Sequence, residues 1–185
     1  MHGAMAVTET APVEPFGLER AFREHQGRVF RAAYRITGNV HDAEDVLQTV
    51  FLRLARQDEG FPALDNPASY LYRAAINAAL DVLRGRRERP DLPIDAADGD
   101  GRGGESPRTP EQVHEAAELR AWLRDAVARL DPRPAEIFAL RYLEGQGNRD
   151  IALALGISRV SVAVTLHRTR QRLQNELRDW KRGRS

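Results

Sequence analysis

The sequence predicts an all-α protein: two small helical domains joined by a flexible acidic linker, the C-terminal one a helix-turn-helix. Three observations predict it. Apolar residues recur at spacings of three and four along most of the chain and nowhere alternate over a useful length. Between residues 90 and 110 the apolar residues almost vanish and glycine accumulates. Residues 151–162 then place small, glycine and β-branched residues at the offsets of a tight turn between two helices.

Three helices are expected before residue 90. Phe22, Val29, Phe30, Ala33 and Tyr34 mark the first, up to a break at Gly38-Asn39. Ala43, Val46, Leu47, Val50, Phe51 and Leu54 form one apolar stripe of the second. Asp42, Glu44 and Asp45 crowd its first turn, where carboxylates favour the positive end of the helix dipole. Gly60-Phe61-Pro62 ends that helix, and Pro67 suits the first turn of a third carrying Leu71, Ala74, Ala75, Ala78 and Val82.

The net charge of +1 hides a strong asymmetry. Residues 16–89 hold 12 basic and 10 acidic groups, residues 90–118 hold 2 and 8, and residues 119–185 hold 14 and 7. An acidic segment, expected as a linker over 90–118, thus separates two basic blocks, and the last is basic enough to meet a polyanion. Arginine supplies 27 of the 28 basic residues, and its planar fork suits phosphate. A calcium loop beginning at Asp98 fails, because Arg102 and Thr109 fall where oxygen ligands are required.

Beyond the linker, Leu119, Trp122, Leu123, Ala126, Val127 and Leu130 form an apolar face ended by Asp131-Pro132. Ile137, Phe138, Leu140 and Leu143 form the next, ended by Gly145. Helices over 149–155 and 159–180 follow, joined by Gly156-Ile157-Ser158. Ala152 permits close crossing, Gly156 accepts the positive φ of the turn, and Ile157 and Val162 fill the angle. Ser158 is an N-cap able to satisfy the Ser161 amide. The second helix would offer its first residues to base edges and its arginines to phosphates. A plain helical hairpin would use the same packing residues, and part of the Arg168, Arg170, Arg172 series is simply a solvated face.

Composition excludes several chemistries. The chain has no cysteine, hence no disulfide framework, thiolate catalysis or Cys-ligated zinc. The five histidines, at 2, 25, 41, 114 and 167, are scattered, and no phosphate loop or nucleophile elbow is present. No enzyme activity, metal or cofactor is expected. No apolar run approaches the ~20 residues of a membrane span, and no secretory signal pattern is seen, so a cytoplasmic protein is expected. Met1 and Met5 both remain possible native starts.

Three ordered segments resemble the extracytoplasmic-function sigma factors. Asp42-Ala43-Glu44-Asp45-Val46-Leu47-Gln48-Thr49-Val50-Phe51-Leu52-Arg53-Leu54 is similar to their polymerase-binding segment. Tyr70-Leu71-Tyr72-Arg73 through Asn77, Asp81 and Arg84 is similar to their promoter-melting helix. Leu130-Asp131-Pro132-Arg133 through Gly145, with Ile151-Ala152, Gly156-Ile157-Ser158 and Leu166-His167-Arg168, is similar to their C-terminal domain. The resemblance covers about residues 20–88 and 119–178.

The resemblance implies a domain over 16–89 that docks on core RNA polymerase and engages the minus-ten element, and one over 119–185 that reads the minus-thirty-five element. It implies core polymerase, promoter DNA and an anti-sigma factor as partners. Asp45 and Gln48 match docking positions; Asp42 and Glu44 either add charge for docking or only complement the helix dipole. Arg73, Asn77 and Arg84 would meet the minus-ten DNA, with Asp81 orienting a neighbouring arginine. Ser158, Arg159, Ser161, His167 and Arg168 would face the minus-thirty-five DNA. The loop over 61–69 is where the family captures a flipped base, and Phe61 either stacks on it or anchors the loop. The acidic linker either occupies the polymerase cleft or is only a tether.

The chain also departs from the family pattern. Ala163 and Thr165 stand where Lys and Arg are common, Thr49 where Glu is, and Ile76 where Arg is. With Ala163, Val164 and Thr165 the middle of the reading helix is apolar, which shifts the expected DNA contacts to Arg159, Ser161, His167 and Arg168. The rival reading is a helix-turn-helix regulator that binds DNA without docking on polymerase, and pure adaptor proteins form a further class.

Overall fold

A computed structural model describes residues 17–56, 67–88 and 109–184. The expectations for the two possible starts, for Phe61 and the loop over 61–66, and for the linker over 90–108 lie outside the described residues.

The N-terminal bundle is three helices: α1 (Leu18–Thr37), α2 (Val40–Ala55) and α3 (Pro67–Glu88). Gly38 ends α1 in the left-handed region at φ 67°, and Asn39 caps α2 by accepting a 3.0 Å hydrogen bond from the Asp42 amide. Two residues thus reverse the chain. Val29, Ile36, Val46, Leu71, Ile76 and Leu80 are almost wholly buried between the three helices. Phe22, expected in the buried stripe, is 40% exposed and meets Phe51 edge-on at 4.9 Å. It lies one turn from the start of α1, where the bundle opens.

The second bundle comprises α4 (Pro110–Ala128), α5 (Pro132–Phe138), a π turn (Ala139–Leu143), α6 (Asn148–Leu155) and α7 (Arg159–Arg182). The linker expected to reach residue 118 stops earlier, because α4 begins at Pro110. Thr109 and Gln112 form a reciprocal capping box, with Pro110 at a position that needs no amide. These groups satisfy the helix start despite its poor apolar content. The helix expected through Leu143 widens after Phe138, and the Glu144 amide donates to Ala139 at 3.1 Å.

α6 and α7 differ in direction by 110°, within the range of a helix-turn-helix. Gly156 takes φ 63°, Ser158 Oγ accepts from the Ser161 amide at 3.0 Å, and Ile151 and Val162 are wholly buried. A Cβ at Gly156 would meet nothing within 4 Å, so only backbone conformation opposes a side chain there.

The two bundles lie against each other, with α3 packed on α4 and α5. Arg73 Nε donates to Glu136 at 3.0 Å and Arg35 Nη1 to Glu144 at 2.6 Å. At Gly38 a Cβ would come within 2.6 Å of the Arg124 guanidinium. A Gly156→Ala variant should lose about 1–2 kcal/mol through the left-handed backbone alone, read as a lower denaturation midpoint with unchanged native helicity.

Candidate nucleic-acid and protein interfaces

The amino-terminal half of α2 presents a polar stripe to solvent. Glu44, Asp45 and Gln48 are exposed while Ala43, Val46 and Val50 on the opposite face are buried. The same stripe continues into Leu52, 54% exposed, which sequence reasoning passed over. Its signal was available, since Leu52 falls outside the buried stripe of its own helix.

Asp42 departs from its neighbours. Its carboxylate faces Arg86 of α3 at 2.7 Å with only 13% of the side chain exposed, an ion pair without hydrogen-bond alignment. Burial pushes its carboxyl above the usual range, only partly opposed by Arg86, and Asp45 adds to the rise. Asp42 therefore faces the domain interior, unlike the outward Glu44, Asp45 and Gln48.

On α3, Arg73 and Asn77 converge on one carboxylate of the second bundle. Glu136 Oε1 accepts from Arg73 Nε at 3.0 Å and from Asn77 Nδ2 at 3.2 Å. Arg73 Nη1 also donates to the Ala154 carbonyl at 2.7 Å. Glu136 Oε2 accepts from Arg133 Nη1 at 3.1 Å, and its side chain is 5% exposed. Arg84 is held by Asp81 at 2.9 Å, with one guanidinium nitrogen buried and unbonded. Ile76 is wholly buried. An apolar residue there belongs to the core, so its departure from the family pattern removes no outward contact.

On α7, Arg159, Ser161, His167 and Arg168 are all exposed, and the three basic side chains have no ion pair among the described residues. Ser158 and Ser161 share a hydrogen bond at 2.9 Å between their hydroxyls, in addition to the cap. Arg172 turns away to Glu176 at 2.9 Å and to the Arg129 carbonyl. Between the cationic positions, Val160 and Val164 are 72% and 43% exposed. No cluster of three or more His, Cys, Asp or Glu could hold a metal among the described residues, and no single helix there is long and apolar enough to cross a membrane.

A bent helix pair that closes on a buried Ile and Val and leaves arginines exposed along its second helix has the form of a helix-turn-helix. The comparisons narrow the class. Residues 21–89 match the Sigma-70 region 2 family and residues 120–173 match Sigma-70, region 4. The chain is 35% identical over 158 residues to the ECF RNA polymerase sigma factor SigE of Mycolicibacterium smegmatis, covering 84% of this chain and 59% of that one. It is 30% identical to SigL of Mycobacterium tuberculosis, covering 87% and 89%, and 28% identical to SigW of Bacillus subtilis, covering 84% and 86%. The structure of CnrH in complex with the cytosolic domain of CnrY shares the fold, with TM-score 0.53 and 20% identity over 88% of each chain. This chain belongs to the extracytoplasmic-function sigma factors of the sigma-70 family.

Because the folded state raises the Asp42 carboxyl, ionised Asp42 opposes stability as pH rises. The stability difference between Asp42→Asn and wild type should therefore move in favour of asparagine as pH rises from the ordinary aspartate range. Denaturant melts of both proteins from that range upward measure it.

Proposed function

We propose that this chain docks on core RNA polymerase and directs promoter recognition, acting by binding and not by catalysis. α2 supplies the polymerase face through Asp45, Gln48 and Leu52, with Glu44 adding charge at its edge. α3 engages the minus-ten element through Arg73 and Asn77, with Arg84 beside them. α7 enters the major groove at the minus-thirty-five element, Arg159 toward base edges and Arg168 toward phosphate.

The observation that carries this reading is the pairing of the two regions in one chain, with an exposed acidic and apolar stripe on the first. A regulator that binds DNA alone has no use for that stripe. Leu52 strengthens the argument, since an apolar side chain more than half exposed beside two polar docking residues is the composition of an interface centre with a polar rim. Residues 16–89 act as the docking and melting unit and the C-terminal helices as the reading unit, and the capped start of α4 at Thr109 supports a beginning for the latter earlier than residue 119. An anti-sigma factor completes the partners.

Asp45→Arg combined with Gln48→Ala should abolish capture of core polymerase while helicity is kept. Leu52→Ala, which removes three carbons from the contact, should weaken capture by about tenfold or more. Asp42→Asn should bind like wild type, because its carboxylate already faces Arg86. Unchanged capture by the double variant would overturn the docking face.

A further inference from the structure

We propose that α7 reads thymine through a valine pair, Val160 and Val164. At helical spacing Val160, Val164 and His167 lie on one stripe of α7, flanked on one side by Ser161 and Arg168 and on the other by Arg159 and Ala163. The valines are therefore the centre of the reading face and the arginines its margins. Asn148, Arg159, Val160, Ala163 and Val164 line a shallow groove along it. The exposure belongs to a surface built to be covered, since two β-branched side chains in the first turns of a solvated helix otherwise gain nothing from packing. Charge fixes what covers it. Arg159 and Arg168 have no ion-pair partner among the described residues and stand on either side, so the occupant is a polyanion with an apolar spot at its centre. In the major groove only one base offers such a spot, the C5 methyl of thymine. Ser158 and Ser161 are already bonded to each other, and on the central stripe only His167, two turns beyond Val160, offers a hydrogen-bonding group, so the first two turns meet the groove with apolar side chains. The Ala163 departure thus leaves the edge of this stripe apolar where the family pattern has a cation.

This inference rests on α7 being the reading helix, and the experiment separates the two. Duplexes selected by the full chain from a random pool should share a motif containing thymine. Replacing that thymine by deoxyuridine, which deletes only the methyl, should weaken wild-type binding roughly fourfold, the equivalent of one buried carbon. Val160→Ala with Val164→Ala should bind thymine and deoxyuridine duplexes alike, whereas Arg159→Ala should weaken both and keep the difference. Equal binding of the two duplexes by wild type overturns the valine proposal and leaves α7 as the reader. Failure of Arg159→Ala and Arg168→Ala to affect any duplex overturns both.

A separate observation concerns the contact between the bundles. We infer that Glu136 acts as a phosphate mimic that masks the minus-ten face of α3 in the free chain. Its carboxylate takes the donors of Arg73 and Asn77 that would otherwise serve DNA, and Arg133 of its own helix holds it in place. Glu144, 4% exposed, repeats the arrangement with Arg35, and Arg124 covers the carboxyl end of α1 at Gly38. An interface held by such pairs is separable, because water and a competing polyanion can replace each partner. The chain has no cysteine, so dyes placed through Glu19→Cys and Gln171→Cys report the distance between the bundles. Glu136→Ala and, independently, Glu144→Ala should lengthen that distance and raise the affinity of the full chain for a mixed-sequence single-stranded DNA at least threefold. Arg73→Ala added to either should remove the gain. Two helical, folded variants with wild-type distance and affinity would overturn the mask, as would opening with no gain in DNA binding.

Discussion

Much of the architecture turns on one buried carboxylate. Glu136 joins three helices that are far apart in sequence: α3 through Arg73 and Asn77, its own α5 through Arg133, and α6 through the bond Arg133 makes to the Leu155 carbonyl. A charge taken out of water is tolerated only when its lone pairs are met by well-placed donors. Three donors meet this one, and two come from the other bundle. The relation between the bundles is therefore set by the solvation of buried carboxylates, Glu136 and, with Arg35, Glu144, as well as by the packing of α3 on α4 and α5.

That constraint gives the two faces of the protein different availabilities. The α2 stripe points to solvent whichever way the bundles sit, and so does the outer face of α7. The Arg73 side of α3 does not, since its donors are engaged across the interface. On the proposed reading, the α2 face is available in the free chain, and the donors of α3 become available when something competes for Glu136 or draws the bundles apart.

Helix α7 shows how local packing settles which side chains are presented. Val162, Leu166 and Leu173 are buried against the rest of the bundle, which fixes the rotation of α7 about its axis. With that rotation fixed, Val160 and Val164 can only face outward, between Arg159 and Arg168. The turn geometry at Gly156 and the cap at Ser158 then direct the first turn of this helix away from α6.

The sequence by itself determined the helices, because the three-and-four spacing of Val46, Val50, Phe51 and Leu54 and the Gly156-Ile157-Ser158 turn are local signals that neighbouring residues satisfy. It also carried the cap at Thr109 and the exposure of Leu52, legible in principle and passed over because a weak apolar pattern hid the first and a family segment absorbed the second. It could not tell Asp42 from Asp45: both are acidic residues near the start of one helix, Asp42 in its first turn and Asp45 in its second, and it is Asp42 that meets Arg86 of α3. Nor could it show that Ile76 is core, or that Arg73 and Asn77 meet Glu136, 63 and 59 residues away. Those outcomes depend on which helix faces which, a matter of long-range packing and shared desolvation that no periodicity records.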